Sequence, residues 1–292
     1  MRTALVTGAA GFTGRYVVEA LALRGYRVFG AGLGPSSVED WIVCDLTDKS
    51  EVTEMVRRVV PNVVVHLAAL TFIPEGNPKD FYNVNVFGAL NLLEALAASA
   101  KPPSKVLVAS SANVYGNTPG ELREDMCPAP VNHYAASKLA MECMVKTWFD
   151  RLPIVITRPF NYTGPGQDER FIIPKIVGHF KRHEETLRLG DISVERDFSD
   201  VEDVAEAYVL LLLSGIQSEV VNVCRGETLS VGNILEEMGE IAGYKIEVES
   251  DPSLFRPNDI KRLAGNNQKL RAVTGFAPNI PIRETLRKMY FA

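Results

Sequence analysis

The sequence predicts a doubly wound α/β fold: a parallel sheet covered by helices on both faces, with a smaller, partly interleaved α+β part attached. Three observations carry this. Short, nearly continuous apolar runs alternate with amphipathic helical stretches through residues 1–160, the pattern of strands buried on both faces. Gly8, Gly11 and Gly14 form a Gly-x-x-Gly-x-x-Gly spacing where the first apolar run gives way to the first helix. After Pro159 the texture changes to Gly164-Pro165-Gly166, a charged stretch from Lys181 to Arg188, and short mixed elements.

Taken in order, the expected strands are Ala4–Thr7, Arg27–Ala31, Trp41–Cys44, Val63–Leu67, Lys105–Ser110 and Ile154–Thr157. Most are runs of aliphatic, often β-branched residues, which suit a pleated, buried surface. The expected helices are Gly14–Arg24, Lys49–Val60, Asp80–Ser99 and Asn132–Phe149. Val201–Leu213 and Val220–Val223 are expected to return to the sheet. The division that follows is one domain of residues 1–160, with 201–224 returning to it, and a second of 161–200 and 225–292. Ligands of such a sheet lie beyond the carboxyl ends of its strands.

Bulk properties narrow the function. A chain of 292 residues can bury a sizeable core, as one large domain or two intimately joined ones. Its net charge of -5 argues against general nucleic-acid binding while permitting a local basic pocket. Cys44, Cys127, Cys143 and Cys224 have no C-x-x-C pairing and no histidine partner. They read as reduced, mostly buried thiols of a cytoplasmic protein, and no metal site is expected. The first residues read as a core strand rather than a secretory signal. The longest apolar run, around Val209–Leu213, is too short to span a bilayer.

At a strand-to-helix turn, the first glycine makes the tight turn and the second lets backbone approach a pyrophosphate. The third lets the helix pack close to the strand, while helix N-terminal N–H groups hold the anion. Gly8, Gly11, Phe12, Thr13 and Gly14 are therefore the expected dinucleotide cradle. At the end of the second strand a carboxylate would bond the ribose 2′-hydroxyl of NAD, and an arginine the 2′-phosphate of NADP. Phe29-Gly30-Ala31-Gly32-Leu33-Gly34-Pro35-Ser36-Ser37 supplies neither. No acid repels a 2′-phosphate past Gly32, and Ser36 or Ser37 can donate to one. The expectation leans to NADP, with a loop that admits either cofactor as the alternative.

The reactive constellation comes in two pieces. Ser110-Ser111-Ala112-Asn113-Val114-Tyr115-Gly116 follows a strand, so its hydroxyls reach the carboxyl edge of the sheet. Tyr134-Ala135-Ala136-Ser137-Lys138 opens a helix, and residues four apart share a face. Tyr-x-x-x-Lys alone is commonplace on helix surfaces; the glycine motif and the strand-end serine give it meaning. A cation beside a phenol favours phenolate, lowering an ordinary pKa of about 10. Tyr134 is thus the expected proton donor, Lys138 its tuner and a ligand of the nicotinamide ribose, and Ser111 a second hydrogen bond to the same substrate oxygen.

At these residues the chain resembles the extended short-chain dehydrogenase/reductase family of nucleotide-sugar enzymes, over nearly its whole length. Matching segments include Cys44-Asp45-Leu46-Thr47-Asp48, His66-Leu67-Ala68-Ala69 and Asn83-Val84-Asn85-Val86-Phe87-Gly88. The resemblance implies a Rossmann domain in which Asp45 and Leu46 meet the adenine, and Leu67, Ala68 and Ala69 line the cofactor groove. It implies that Asn85 is a structural polar residue beneath the active site. It also implies a homodimer through the helices of Asp80–Ser99 and Asn132–Phe149.

The second half narrows the family. Arg158 to Gln167 is similar to the loop that meets a sugar-nucleotide diphosphate, with Asn161 as the contact, and Arg196-Asp197-Phe198 to a segment whose arginine pairs with a phosphate. Arg256-Pro257-Asn258-Asp259 resembles GDP-sugar members, Arg256 serving phosphate and Asp259 able to accept from the guanine edge. Lys175 is a further phosphate candidate, and Thr71 and Asn113 are candidate substrate contacts. Dehydratases of the family carry an acidic pair where this chain has Ala112 and Asn113, so water elimination is not expected. The resemblance implies reduction of the C4 keto group of a GDP-4-keto-6-deoxyhexose, giving a GDP-6-deoxyhexose of the GDP-D-rhamnose type for polysaccharide precursors. A 4-epimerase with tightly bound NAD is the alternative. A cofactor-sensing regulatory protein on the same fold, which would usually have lost the tyrosine or lysine, is the other.

Overall fold

The structure is a computed structural model and describes residues 2–71, 77–254 and 261–292. The chain opens with β1 (Arg2–Thr7), α1 (Phe12–Leu23), β2 (Tyr26–Gly32), β3 (Asp40–Val43), α2 (Lys49–Val59) and β4 (Val63–His66). Next come α3 (Lys79–Tyr82), α4 (Ala89–Ala98), β5 (Lys105–Ala109), a two-residue β6 (Glu121–Leu122), α5 (His133–Lys146) and β7 (Ile154–Pro159). After these lie β8 (Asn161–Thr163), α6 (Ile172–Lys181), β9 (Thr186–Leu189), β10 (Glu195–Asp200), α7 (Val201–Leu213) and β11 (Glu219–Val223). The remainder is β12 (Thr228–Ser230), α8 (Val231–Ala242), β13 (Glu247–Ser250), β14 (Arg262–Gly265), α9 (Gln268–Thr274) and α10 (Ile282–Phe291).

Seven strands pair in parallel in the order β11-β7-β5-β4-β1-β2-β3, which is the doubly wound order extended by one strand. Burial on both faces explains the near-continuous apolar strands: Val63, Val64, Val65 and His66 of β4 are all buried. One face packs Leu5, Val64 and Val106 under residues of α2, α4 and α5, such as Val52, Leu92 and Met141. The other packs Ala4, Val6 and Leu107 under Val17 and Leu21 of α1 and Val204 and Tyr208 of α7. Each such aliphatic side chain contributes roughly 1.5–3 kcal/mol by burial. The order reverses between β1 and β4, so the crevice at their carboxyl ends faces the glycine turn.

Two elements differ from expectation. Val201–Leu213 is a helix on the sheet rather than part of it: Asp200 caps it by accepting from the Glu202 N–H at 2.7 Å, and Glu202 and Asp203 occupy its first turn. The stretch expected as one helix over Asp80–Ser99 is α3, a π-helical turn at Asn83–Gly88, and α4. The widened turn carries Asn85 fully buried beneath the sheet edge and lays Gly88 against Leu46, where an added Cβ would lie 3.2 Å from the Leu46 Cβ. Cys44 and Cys224 are buried and Cys127 and Cys143 exposed, all as free thiols.

β12, β10, β14 and β6 form a second sheet, with β8 added on β10, and β9 pairs with β13. Phe180, Leu187, Phe198, Ile234, Met238 and Leu286 form its own apolar cluster with α6, α8 and α10. β10 is tied to the end of β11 through Asp197, whose carboxylate accepts from the N–H groups of Arg225 at 2.9 Å and Gly226 at 2.8 Å. Among the described residues no helix is long and apolar enough to cross a membrane, and no cluster of metal-ligating side chains occurs.

Candidate active site

The glycine turn leaves no room for side chains. Gly8 has φ +73°, a left-handed conformation that favours glycine, and a Cβ there would sit 2.8 Å from the Ala68 nitrogen. Gly14 presses α1 onto the turn so closely that its Cβ would lie 2.2 Å from the Gly8 carbonyl oxygen. Gly11 is the N-cap of α1, and neither a side-chain cap nor a first-turn acid occupies that helix end. Its N–H groups are thus left for an anion. Leu67, Ala68 and Ala69, just past β4, are half-buried beside this turn.

Opposite it stand the end of β5 and one face of α5. Asn132 caps α5 by accepting from the Ala135 N–H at 2.8 Å, which fixes where Tyr134 sits. Lys138 is buried, and its Nζ donates to the Ala109 carbonyl oxygen at 2.7 Å. Ser111 is buried, hydrogen-bonds the Tyr134 phenol, and accepts from the Asn113 N–H at 3.2 Å. Beneath them Asn85 fixes the far wall: its Oδ1 accepts from the Leu70 N–H at 2.8 Å, and its Nδ2 donates to the Leu70 carbonyl and the Ser137 hydroxyl, both at 3.0 Å. The structure therefore brings Ser111, Tyr134 and Lys138 together at the carboxyl edge of the sheet.

Burial pushes the Tyr134 phenol up to about 12, Tyr162 adds to the rise, and the Ser111 hydrogen bond offsets part of it. Burial also pushes Lys138 down to about 8, while Glu142 acts to raise it. His66 is held neutral, pushed down to about 3 by burial, with its Nδ1 2.8 Å from the Thr7 hydroxyl.

Several residues at the site escaped the sequence reading. Tyr162 reaches the Thr13 hydroxyl at 2.8 Å and stacks on Phe12, joining the glycine turn to β8. Tyr16 donates to the Pro165 carbonyl at 2.8 Å and Arg15 Nη2 to the Gly166 carbonyl at 3.0 Å, so α1 is fastened to the loop after β8 twice. Glu142 lies one turn beyond Lys138 and pairs with Arg158, both fully buried. The Tyr134-x₃-Lys138-x₃-Glu142 spacing was a signal for that face; the partnership with Arg158, on another element, was not readable.

The remaining candidates are scattered around this centre. Gly32 ends β2 under the Trp41 indole, where a Cβ would lie 3.0 Å from the ring, and the Ser36 hydroxyl accepts from the Val38 N–H at 3.3 Å. Asp45 spends one carboxylate oxygen on the Thr47 N–H and hydroxyl, both at 2.8 Å; Leu46 is buried next to it. Asn161 and Thr71 are exposed and Asn113 is half-buried. Lys175 Nζ donates to the Arg188 carbonyl at 3.0 Å, and Arg196, on β10, donates to the Glu195 carbonyl at 2.9 Å. Arg256 and Asp259 lie outside the described residues.

The open helix end, with α1 pressed onto the turn by Gly14 and the turn pressed onto Ala68 by Gly8, fits a dinucleotide pyrophosphate held on backbone N–H groups. With the doubly wound sheet and the Ser111, Tyr134, Lys138 group, fold and site define an extended short-chain dehydrogenase/reductase. A family model for GDP-mannose 4,6 dehydratase matches residues 5–289, and the chain belongs to that family, whose members are NAD(P)-dependent nucleotide-sugar oxidoreductases. GDP-6-deoxy-D-talose 4-dehydrogenase of Aggregatibacter actinomycetemcomitans is 36% identical over 98% of this chain and 96% of its own. GDP-6-deoxy-D-mannose reductase of Pseudomonas aeruginosa is 32% identical over 97% of this chain and 94% of its own. Among solved structures, RMD from Pseudomonas aeruginosa complexed with NADPH superposes with a TM-score of 0.88 at 31% identity, covering 100% of this chain and 98% of that one. The UDP-glucose 4-epimerase of Thermus thermophilus in complex with NAD gives 0.89 at 31% identity, covering 99% and 98%.

Proposed function

We propose that the protein is an NAD(P)H-dependent reductase of the C4 keto group of a GDP-4-keto-6-deoxyhexose. The observation that carries the reading is the meeting of Ser111, Tyr134 and Lys138 at the strand edge facing the glycine turn. Likeness to a GDP-6-deoxy-D-mannose reductase and a GDP-6-deoxy-D-talose 4-dehydrogenase supports GDP as the nucleotide and C4 as the reacting carbon. Ala112 and Asn113 supply no acid or base for water elimination, which separates the reading from the dehydratases that share the family.

When bound, the reduced nicotinamide supplies hydride to the C4 carbonyl carbon. Gly8, Gly11, Phe12, Thr13 and Gly14 would hold its pyrophosphate, Asp45 and Leu46 its adenine, and Leu67, Ala68 and Ala69 its groove. Tyr134 gives its phenolic proton to the oxygen that becomes the 4-hydroxyl, so one hydride and one proton turn C=O into CH–OH. Ser111 hydrogen-bonds that oxygen and holds it toward Tyr134. Lys138 contributes positive charge beside the developing alkoxide. Thr71, Asn113, Asn161, Lys175, Arg196, Arg256 and Asp259 are assigned to the GDP-sugar. In this reading residues 1–160 and 201–224 serve the cofactor, and 161–200 and 225–292 the sugar nucleotide. The acid-free end of β2, with Gly32 and Ser36, favours NADP over NAD. Four free thiols fit a cytoplasmic setting.

Mixing the protein with GDP-4-keto-6-deoxy-D-mannose and NADPH or NADH, then following loss of reduced-nicotinamide absorbance, tests this. Stoichiometric oxidation, faster with NADPH, is the expected result. NMR of the product then separates GDP-D-rhamnose from its C4 epimer, GDP-6-deoxy-D-talose. No oxidation by protein that binds cofactor would overturn the reductase. Release of NAD only on denaturation would instead favour the epimerase, a reading supported by the likeness to the UDP-glucose 4-epimerase with NAD.

A homodimer through residues 80–99 and 132–149 belongs to the same proposal. Phe87 is 55% exposed in the first of these segments, and Val131, immediately before the second, is 44% exposed, which is apolar area for a second copy to cover. Light scattering should give twice the mass of one chain, and Phe87→Asp should halve it. A single-chain mass for the unaltered protein would rule the dimer out.

A further inference from the structure

The end of β5 meets one face of α5 in three rungs. Lys138 donates to the Ala109 carbonyl at 2.7 Å, the Ser110 hydroxyl donates to Glu142 Oε1 at 2.6 Å, and Ser111 bonds the Tyr134 phenol. Tyr134, Lys138 and Glu142 are each one helical turn apart, so residues 109–111 reach three turns of one face of α5, Ala109 the middle turn, Ser110 the last and Ser111 the first. The Glu142 rung lies deepest. Arg158 on β7 grips the same carboxylate with two bonds, Nε to Oε1 at 2.9 Å and Nη2 to Oε2 at 2.6 Å. Its guanidinium lies 4.7 Å above the Tyr115 ring. The Ser110 N–H, next along the strand, donates to the Thr157 carbonyl at 2.7 Å, adjacent to Arg158.

A fully buried ion pair is a poor way to stabilise a core, because desolvation of both charges offsets their attraction and apolar residues of similar volume often do as well. Its position directly behind Lys138 and Tyr134 gives it another use. We propose that Glu142 is a positioning residue for the reaction centre: its carboxylate registers α5 on the end of β5 and keeps negative charge behind the Lys138 ammonium. The catalytic part of this rests on the reading of Tyr134 and Lys138 given above. The titratable groups facing Lys138 are Glu142 from its own helix and neutral His66 from β4; those facing Glu142 are Lys138 and Arg158, with Tyr115 flanking Arg158. Burial drives Lys138 toward the neutral amine and Glu142 opposes it, so loss of the carboxylate moves the Lys138 titration to lower pH.

E142Q keeps the volume and one acceptor for Ser110 but removes the charge. The double variant E142M/R158M removes both charges at similar volume, and covers the case in which E142Q does not fold. Two readouts are taken on whichever variant melts cooperatively: ¹⁵N NMR titration of the Lys138 ammonium, which needs no turnover, and the pH profile of kcat beside KM. The Lys138 titration should fall by about one unit or more. The alkaline limb of kcat should fall with it, kcat at pH 7 should drop about twofold for a one-unit shift and about tenfold for a two-unit shift, and KM should stay within about threefold. A folded variant with an unmoved Lys138 titration and an unchanged profile would overturn the proposal and leave the pair as core filling. Absence of turnover in the unaltered protein would count against the reductase reading alone, because the NMR titration still decides the role of Glu142.

Discussion

Tyr134→Phe is expected to lose turnover by about 10²–10⁴-fold, the usual contribution of a positioned general acid, while binding cofactor within about threefold of normal. That loss corresponds to ~2.7–5.5 kcal/mol of transition-state stabilisation. Only one oxygen is removed. The ring still packs against Phe81, and Ser111, Lys138 and the glycine turn are untouched. The direction of the Tyr134 pKa sharpens the expectation. A phenol pushed up to about 12 is fully protonated at neutral pH, which is the state a proton donor needs for reduction. Burial holds Lys138 lower, at about 8, so an alkaline fall of kcat near that pH is the expected signature of Lys138. The reverse oxidation needs phenolate and should be slow until the pH is high. Stopped-flow or steady-state oxidation of NADPH across a pH series reads both limbs. A Tyr134→Phe protein that keeps more than about a tenth of its turnover would remove Tyr134 as the donor.

Much of the fold was legible because the sheet is buried on both faces. Runs such as Val63-Val64-Val65 have no polar side to hide, and the strands they predict all occur. The family was legible from short local signals: three glycines at a strand-to-helix turn and a tyrosine four residues before a lysine. What local patterns do not carry is the partner of a buried group. Arg158 read as the start of a phosphate-facing loop, yet it points inward to Glu142, sixteen residues back in sequence and on another element. The π turn at Asn83–Gly88 was likewise hidden, since its apolar spacing passes for α-helix; the cause is the Asn85 bond to Leu70, a contact between elements. Val201–Leu213 is apolar enough for a buried strand, and its capping acids decide for helix. Spacing reveals a nearby cation, whereas the burial that raises the Tyr134 pKa is a property of the packed chain.

Gly14→Ala should abolish tight cofactor binding and destabilise the fold, although the same exchange in an ordinary helix stabilises by roughly 0.5–1 kcal/mol. The added methyl would lie 2.2 Å from the Gly8 carbonyl oxygen, 2.6 Å from the Ala9 Cα and 2.7 Å from the Ala9 carbonyl carbon. All three are backbone atoms, so no side-chain rotation relieves the clash; α1 itself must move away from the turn. That shift displaces the helix N–H groups offered to the pyrophosphate. It also strains the Thr13–Tyr162 and Tyr16–Pro165 bonds that fasten α1 to β8 and the loop after it. Overpacking of this kind costs typically ~1–3 kcal/mol. Misplacing an anion site by an ångström should cost about 10²-fold in NADPH affinity. Gly232→Ala in α8 is the matched control, because its methyl would meet nothing closer than the Ser230 hydroxyl at 3.4 Å. Fluorescence titration with NADPH and thermal melting of both variants separate the two effects of the methyl. If Gly14→Ala binds NADPH as the control does and melts no lower, the glycine turn is not where the dinucleotide sits.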